Sequence, residues 1–120
     1  METREITNGE DIIDSRDIIE RIDYLDTNYN DLDDVEKLEL VKLRKVAEQA
    51  EGYGDWENGE GLIRDSYFET YAQELAEDTG AISRDANWPL NKIDWEAAAD
   101  ELKIDYMEVE FDGVSYWIRV

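Results

Sequence analysis

Apolar and polar residues along the chain follow two periods, one of helices and one of strands. Ile18, Ile19, Ile22 and Leu25 recur at helical spacing, which predicts a helix over about 16–26, with Ser15 as N-cap and Asp17 in its first turn. Thr27-Asn28-Tyr29-Asn30 is a turn. Asp31, Asp33 or Asp34 then caps a second helix running to about Glu51, with Leu40, Leu43, Val46, Ala47 and Ala50 on one face. The short connection predicts an antiparallel helical hairpin.

Residues 52–61, GYGDWENGEG, hold four glycines and break the pattern as a loop or hinge. Leu62-Ile63-Arg64 is a short extended piece. Asp65 or Ser66 caps a third helix with Tyr67, Phe68, Tyr71, Ala72, Leu75 and Ala76 as its apolar positions and Gly80 just past its end. A loop over 81–92 surrounds Trp88-Pro89. Asp94 caps a fourth helix with Trp95, Ala98, Ala99 and Leu102 on its apolar side. Trp56, Trp88 and Trp95 are expected as core or loop anchors.

The C-terminal run switches to period two. Asp112-Gly113 lies between two alternating segments, the signal for a two-residue type I′ hairpin. That register pairs Phe111 with Val114, Val109 with Tyr116, and Met107 with Ile118 on an apolar face expected to pack on helices three and four. The other face pairs Glu110 with Ser115, Glu108 with Trp117, and Tyr106 with Arg119, and is expected to meet water or a partner. A terminal strand can leave an exposed edge, which with Trp117 outside suggests a homodimer through this hairpin.

The elements make an α+β fold in one domain over 1–120: a flexible start over 1–14, a helical hairpin over 15–52, and a helix–helix–β-hairpin module over 62–120. The 120 residues suit a single domain with one core.

Charge changes the picture most. There are 33 acidic and 12 basic side chains, a formal charge of −21, with no His and no Cys. Disulfides, thiol nucleophiles, zinc-finger sites, Ser-His-Asp triads and imidazole acid–base chemistry are thereby excluded. Direct binding to nucleic acid or an anionic membrane is disfavoured, since both are polyanions. No signal-peptide pattern or membrane-spanning run is read, and the lack of Cys suits a reducing host cytoplasm. The charge is uneven. Residues 1–34 carry a net −9, residues 35–52 are neutral, and residues 53–120 carry a net −12.

Candidate functional residues follow from that division. Asp17, Glu20 and Asp23 step by three along the first helix. Glu69, Glu74, Glu77 and Asp78, then Asp100, Glu101, Asp105, Glu108 and Glu110, form the second acidic block. Steps of three or four on a helix advance about 4.5–6 Å, comparable to phosphate spacing along a nucleic-acid strand. Solubility alone needs a net charge of only about 2–8. An anionic surface shaped for a basic groove is therefore the functional reading, and a solvated acidic surface the bland one.

Other motifs carry no chemistry. Asp26-Thr27-Asn28-Tyr29-Asn30 opens like an EF-hand loop, but its sixth position is Asp31 and its twelfth Lys37. GYGDWENGEG lacks the Lys-Ser/Thr of a phosphate-binding loop. Carboxylate pairs arise by chance among so many acids, and Ser66 and Ser83 have no His to activate them. No catalytic residue, metal or cofactor is expected, and the chain is read as a non-enzyme.

Residues 94–117, DWEAAADELKIDYMEVEFDGVSYW, resemble the closing segment of ArdA-type antirestriction proteins: a helix with Asp94, Trp95, Glu96, Ala97 and Leu102, then Asp105-Tyr106 and a hairpin. FETYAQELAEDTG, residues 68–80, is similar to an acidic helix of the same family. The resemblance covers about residues 62–118, and the helical hairpin over 15–52 has no counterpart that aligns. It implies an acidic mimic of B-DNA, usually dimeric, that occupies the DNA groove of a type I restriction–modification enzyme and protects phage or mobile DNA. The alternatives are an anti-CRISPR protein acting on an RNA-guided nuclease, and a phage or mobile-element structural or assembly module whose charge serves solubility.

Overall fold

The computed structural model describes residues 3–83, 85, 87–89 and 92–120. It is α+β, with four helices and a four-stranded antiparallel sheet. In chain order the elements are β1 (Ile12–Asp14), α1 (Ser15–Thr27), α2 (Asp34–Ala50), β2 (Gly61–Arg64), α3 (Phe68–Asp78), α4 (Trp95–Leu102), β3 (Tyr106–Phe111) and β4 (Val114–Arg119). The strand order is β1-β2-β4-β3.

Local chemistry sets the helix ends. Asp14, one residue before the expected Ser15, caps α1 by accepting from Arg16 N at 2.9 Å. Asp33 caps α2 in a reciprocal box with Glu36, which satisfies two amides that the helix itself cannot. Asp94 caps α4 by accepting from Ala97 N at 3.1 Å. Residues 65–67 form a 3-10 turn, so α3 starts at Phe68 and neither Asp65 nor Ser66 caps it. Past its end, Gly80 takes φ +77° and donates to Glu77 O, while Ala81 N donates to Ala76 O. These two bonds close the helix in a Schellman motif.

The hairpin register is as expected in all six pairs. Asp112 and Gly113 have φ +50° and +78°, the left-handed pair that a type I′ turn requires. The packing of its faces differs from expectation. Val109, Phe111, Tyr116 and Ile118, flanked by Met107 and Val114, join Ile13, Leu62 and the inner faces of α1 and α2 (Ile18, Leu25, Leu40, Leu43, Val46, Ala50). They do not pack on α3 and α4. The second face is divided: Glu108, Glu110 and Arg119 are exposed as expected, while Tyr106 and Trp117 pack with Ile63 against Phe68, Tyr71, Ala72, Ala99 and Leu102. The cause is β2, which pairs with β4 and turns the hairpin into part of a sheet with helices on both faces. Leu62 and Ile63 are buried on opposite sides.

Two further expectations are corrected. The start of the chain is not loose throughout: Ile12–Asp14 form β1, Ile13 is fully buried and Ile6 joins the core. The terminal strand β4 is internal, between β2 and β3, so the edge argument for a dimer through it falls. β3, with β1, is an edge of the sheet, and there Gln49 bonds both backbone groups of Glu110, at 2.9 and 3.0 Å.

The glycine-rich loop is pinned to the core. Trp56 is buried in it, and the buried Ser15 hydroxyl donates to Trp56 O at 2.7 Å and accepts from Glu60 N at 2.7 Å. Gly59 has φ +119°, and a Cβ there would fall 2.7 Å from Arg16 Nε. Trp88, expected as an anchor, is 75% exposed, and Trp95 is half-buried. The loop over 81–92 is loop where described; residues 84, 86, 90 and 91 lie outside the described residues.

The molecule is elongated, 60 × 25 × 24 Å. Its radius of gyration, 16.9 Å, exceeds the roughly 14 Å expected of a compact chain this long.

Candidate functional site

The α3–α4 layer brings most of the predicted carboxylates together. Phe68, Ala72 and Ala99 face the sheet and hold the two helices on it. The polar positions therefore point outward. Glu69, Glu74, Asp78, Asp100 and Glu101 are exposed and Glu77 is half-buried. Glu96, absent from the expected row, is a seventh acid on the same two helices, and the DWEA motif that contains it is the signal that could have found it. No Lys or Arg occurs in α3 or α4. Some of the acids are steadied locally: Tyr67 Oη donates to both oxygens of Glu74 at 3.0 Å, and Gln73 donates to Glu77.

Lys103 follows α4 directly, and its charge is taken up at the base of the layer. Its Nζ donates to Asp65 Oδ1 at 3.1 Å and lies 4.9 Å from the Trp117 ring and 5.3 Å from the Phe68 ring. Trp117 Nε1 donates to the same Asp65 oxygen at 2.9 Å. Those contacts, the Trp117 bond foremost, hold the Asp65 carboxyl below its ordinary range. Trp117 is thus half-buried against this chain's own α3. Below it, Tyr71 and Tyr106 share a hydrogen bond of 2.7 Å, and burial foremost pushes the Tyr106 phenol well above its ordinary range. The Tyr116 phenol, on the other face, is pushed up to about 12 by burial. Both rings are structural.

The other predicted acids are elsewhere. Asp105 is exposed in the turn before β3, and Glu108 and Glu110 are exposed along that edge strand. Asp17, Glu20 and Asp23 lie on α1, in the other layer, where cations are interleaved. Arg4 pairs with Asp17 at 2.9 Å and with Glu10 at 2.6 Å, Arg16 pairs with Asp14 at 2.9 Å, and Arg44 pairs with Asp26. The buried Arg21 grips Glu39 through two bonds of 2.7 and 2.9 Å.

Among the described residues no group of three or more acidic side chains is arranged to hold a metal ion. No described helix is long and apolar enough to cross a membrane. No family model, curated protein or solved structure matches the chain.

Proposed function

We propose that the chain is a nucleic-acid mimic whose α3–α4 face occupies the basic DNA-binding groove of a host defence enzyme. One observation carries this reading: seven carboxylates on two adjacent helices, with no cation in either. A surface of that kind raises self-repulsion and destabilises the compact state, a cost that a cationic partner removes. Scale supports it. A net −21 along 60 Å is about one charge per 3 Å, against about one per 1.7 Å for duplex DNA, and 60 Å spans about 18 base pairs. Asp105, Glu108 and Glu110 extend the anionic surface toward the sheet edge, and Ile104, 79% exposed between them and α4, supplies an apolar anchor.

The ArdA resemblance over residues 62–118 names type I restriction–modification as the candidate target, with phage or mobile-element DNA as the beneficiary. An RNA-guided nuclease is the close variant. Inhibition works by competitive exclusion without chemistry, so it weakens as salt rises. A pulldown from host lysate at low and then high salt tests the reading. Recovery of a restriction, methyltransferase or nuclease subunit that elutes with salt is the expected result. Recovery of no DNA-binding protein at low salt contradicts it.

A further inference from the structure

The outward face of α2 differs from the rest of the surface. Val35, Leu38 and Val41 are 72, 53 and 46% exposed, on a helix whose inner face is fully used by Leu40, Leu43, Val46 and Ala50. This apolar stripe lies in the one segment of the chain with no net charge. Of the nearby cations, three are engaged within the chain: Lys42 pairs with Asp112 at 3.0 Å, Arg44 pairs with Asp26, and Lys37 lies 5.3 Å from the Tyr29 ring. Asp34 and Lys45, both exposed, make no ion pair among the described residues.

Asp34, Leu38, Val41 and Lys45 are spaced four, three and four residues apart, one continuous line on a helix. The line is self-complementary. A two-fold axis midway between Leu38 and Val41, relating two antiparallel copies of α2, sets Leu38 against Val41 of the second copy. The same operation sets Asp34 against Lys45, at both ends. From this geometry we propose that the outward face of α2 is an isologous interface for a second copy of the chain. A 17-residue helix is about 26 Å long, so the contact is small, in the weak and transient class of interface. It leaves the α3–α4 layer, on the other face of the sheet, open in both copies.

The association has a distinctive salt dependence. Two bodies of charge −21 repel, and salt screens that repulsion more than it weakens a short apolar contact. Dimer formation therefore strengthens with salt, the opposite of the proposed target binding. The proposal does not depend on the DNA-mimic reading.

Sedimentation equilibrium of the full chain in about 0.05 and 0.5 M salt tests it, with helicity checked by circular dichroism. A concentration-dependent dimer, stronger in the higher salt, is expected. Leu38→Lys should weaken it at least tenfold. Asp34→Lys and Lys45→Asp should each weaken it, and the double exchange D34K/K45D should restore it. A monomer at every concentration overturns the proposal. So does a dimer indifferent to Leu38→Lys, or a double exchange no better than the singles.

Discussion

The two helical layers on this sheet use the same amphipathic helices and treat charge in opposite ways. In the α1–α2 layer acids and bases are interleaved. Arg21 and Glu39 are sealed together, and Arg4, Arg16 and Arg44 each hold an acid of α1 or its flanks. In the α3–α4 layer the helices have acids only, and Lys103 is drawn beneath them by Asp65 and Trp117. Net charge alone does not separate these cases. What separates them is where the cations sit: on α1, α2 and the flanking chain in the first layer, and outside both helices in the second.

The largest effect should come from breaking the neutralised layer. Arg21→Ala leaves Glu39 without its partner in a nearly dry site and should cost about 3–5 kcal/mol. Replacing both residues with Met should recover much of that. Urea unfolding of the single and double variants measures the difference. If Arg21→Ala costs under about 1 kcal/mol, the pair behaves as an exposed one and the contrast between the layers weakens.

A smaller loss is expected at the joint between that layer and the glycine-rich loop. Ser15→Ala strands Trp56 O and Glu60 N and should cost about 1–3 kcal/mol. Its m-value should stay unchanged, because the loop unfolds with the core.

Neutralising charge should have opposite signs in the two layers. Asp100→Asn relieves like-charge repulsion with Glu96, four residues earlier on α4, and should raise stability by about a few tenths of a kcal/mol at low salt. Asp17→Asn removes a partner of Arg4 and should give no gain. Thermal melts at low and high salt separate the two, since the gain in α3–α4 should fade as salt screens it.

The smallest effect concerns pH. The Asp65 carboxyl is held below its ordinary range, first by the Trp117 bond. A depressed acid contributes stability above its unfolded value, near pH 4, and loses it as pH falls through the folded value. Asp65→Asn should therefore be slightly less stable than the parent at neutral pH, and the difference should shrink as pH falls below about 4. The indole N–H resonance of Trp117 should titrate over the same acid range in the parent and not in the variant.

Much of the fold was legible because local rules decided it. Asp112-Gly113 dictated the turn and thereby all six hairpin pairs, and Asp33, Asp94 and Gly80 marked helix ends through bonds only such residues make there. The acidic row on α3 and α4 was legible for the same reason, since helical spacing carries it outward when Phe68, Ala72 and Ala99 face in. What stayed hidden depended on distant partners. Alternation in β3 and β4 distinguishes two faces without saying which helices cover each. Tyr106 and Trp117 resembled a wet face because each has a polar tip, yet Tyr71 and Asp65 satisfy those tips within the fold. β1 is three residues long, too short for a periodic signal, and owes its place to pairing with β2. Ser15 has the sequence context of a cap, whereas its hydroxyl ties together two segments about forty residues away in sequence.

The central claim is that the acids of α3 and α4 compete with DNA. The direct measurement is displacement of a labelled duplex from a purified type I restriction–modification methyltransferase, across a salt series. Three proteins are compared: the parent, the variant with Glu69, Glu77, Asp100 and Glu101 changed to Lys, and one with Asp17, Glu20 and Asp23 changed to Lys. The parent should displace the duplex and weaken steadily as salt rises. The α3–α4 variant should fail, and the α1 variant should retain most of the effect. Equal displacement by the parent and the α3–α4 variant, or displacement indifferent to salt, would contradict the account.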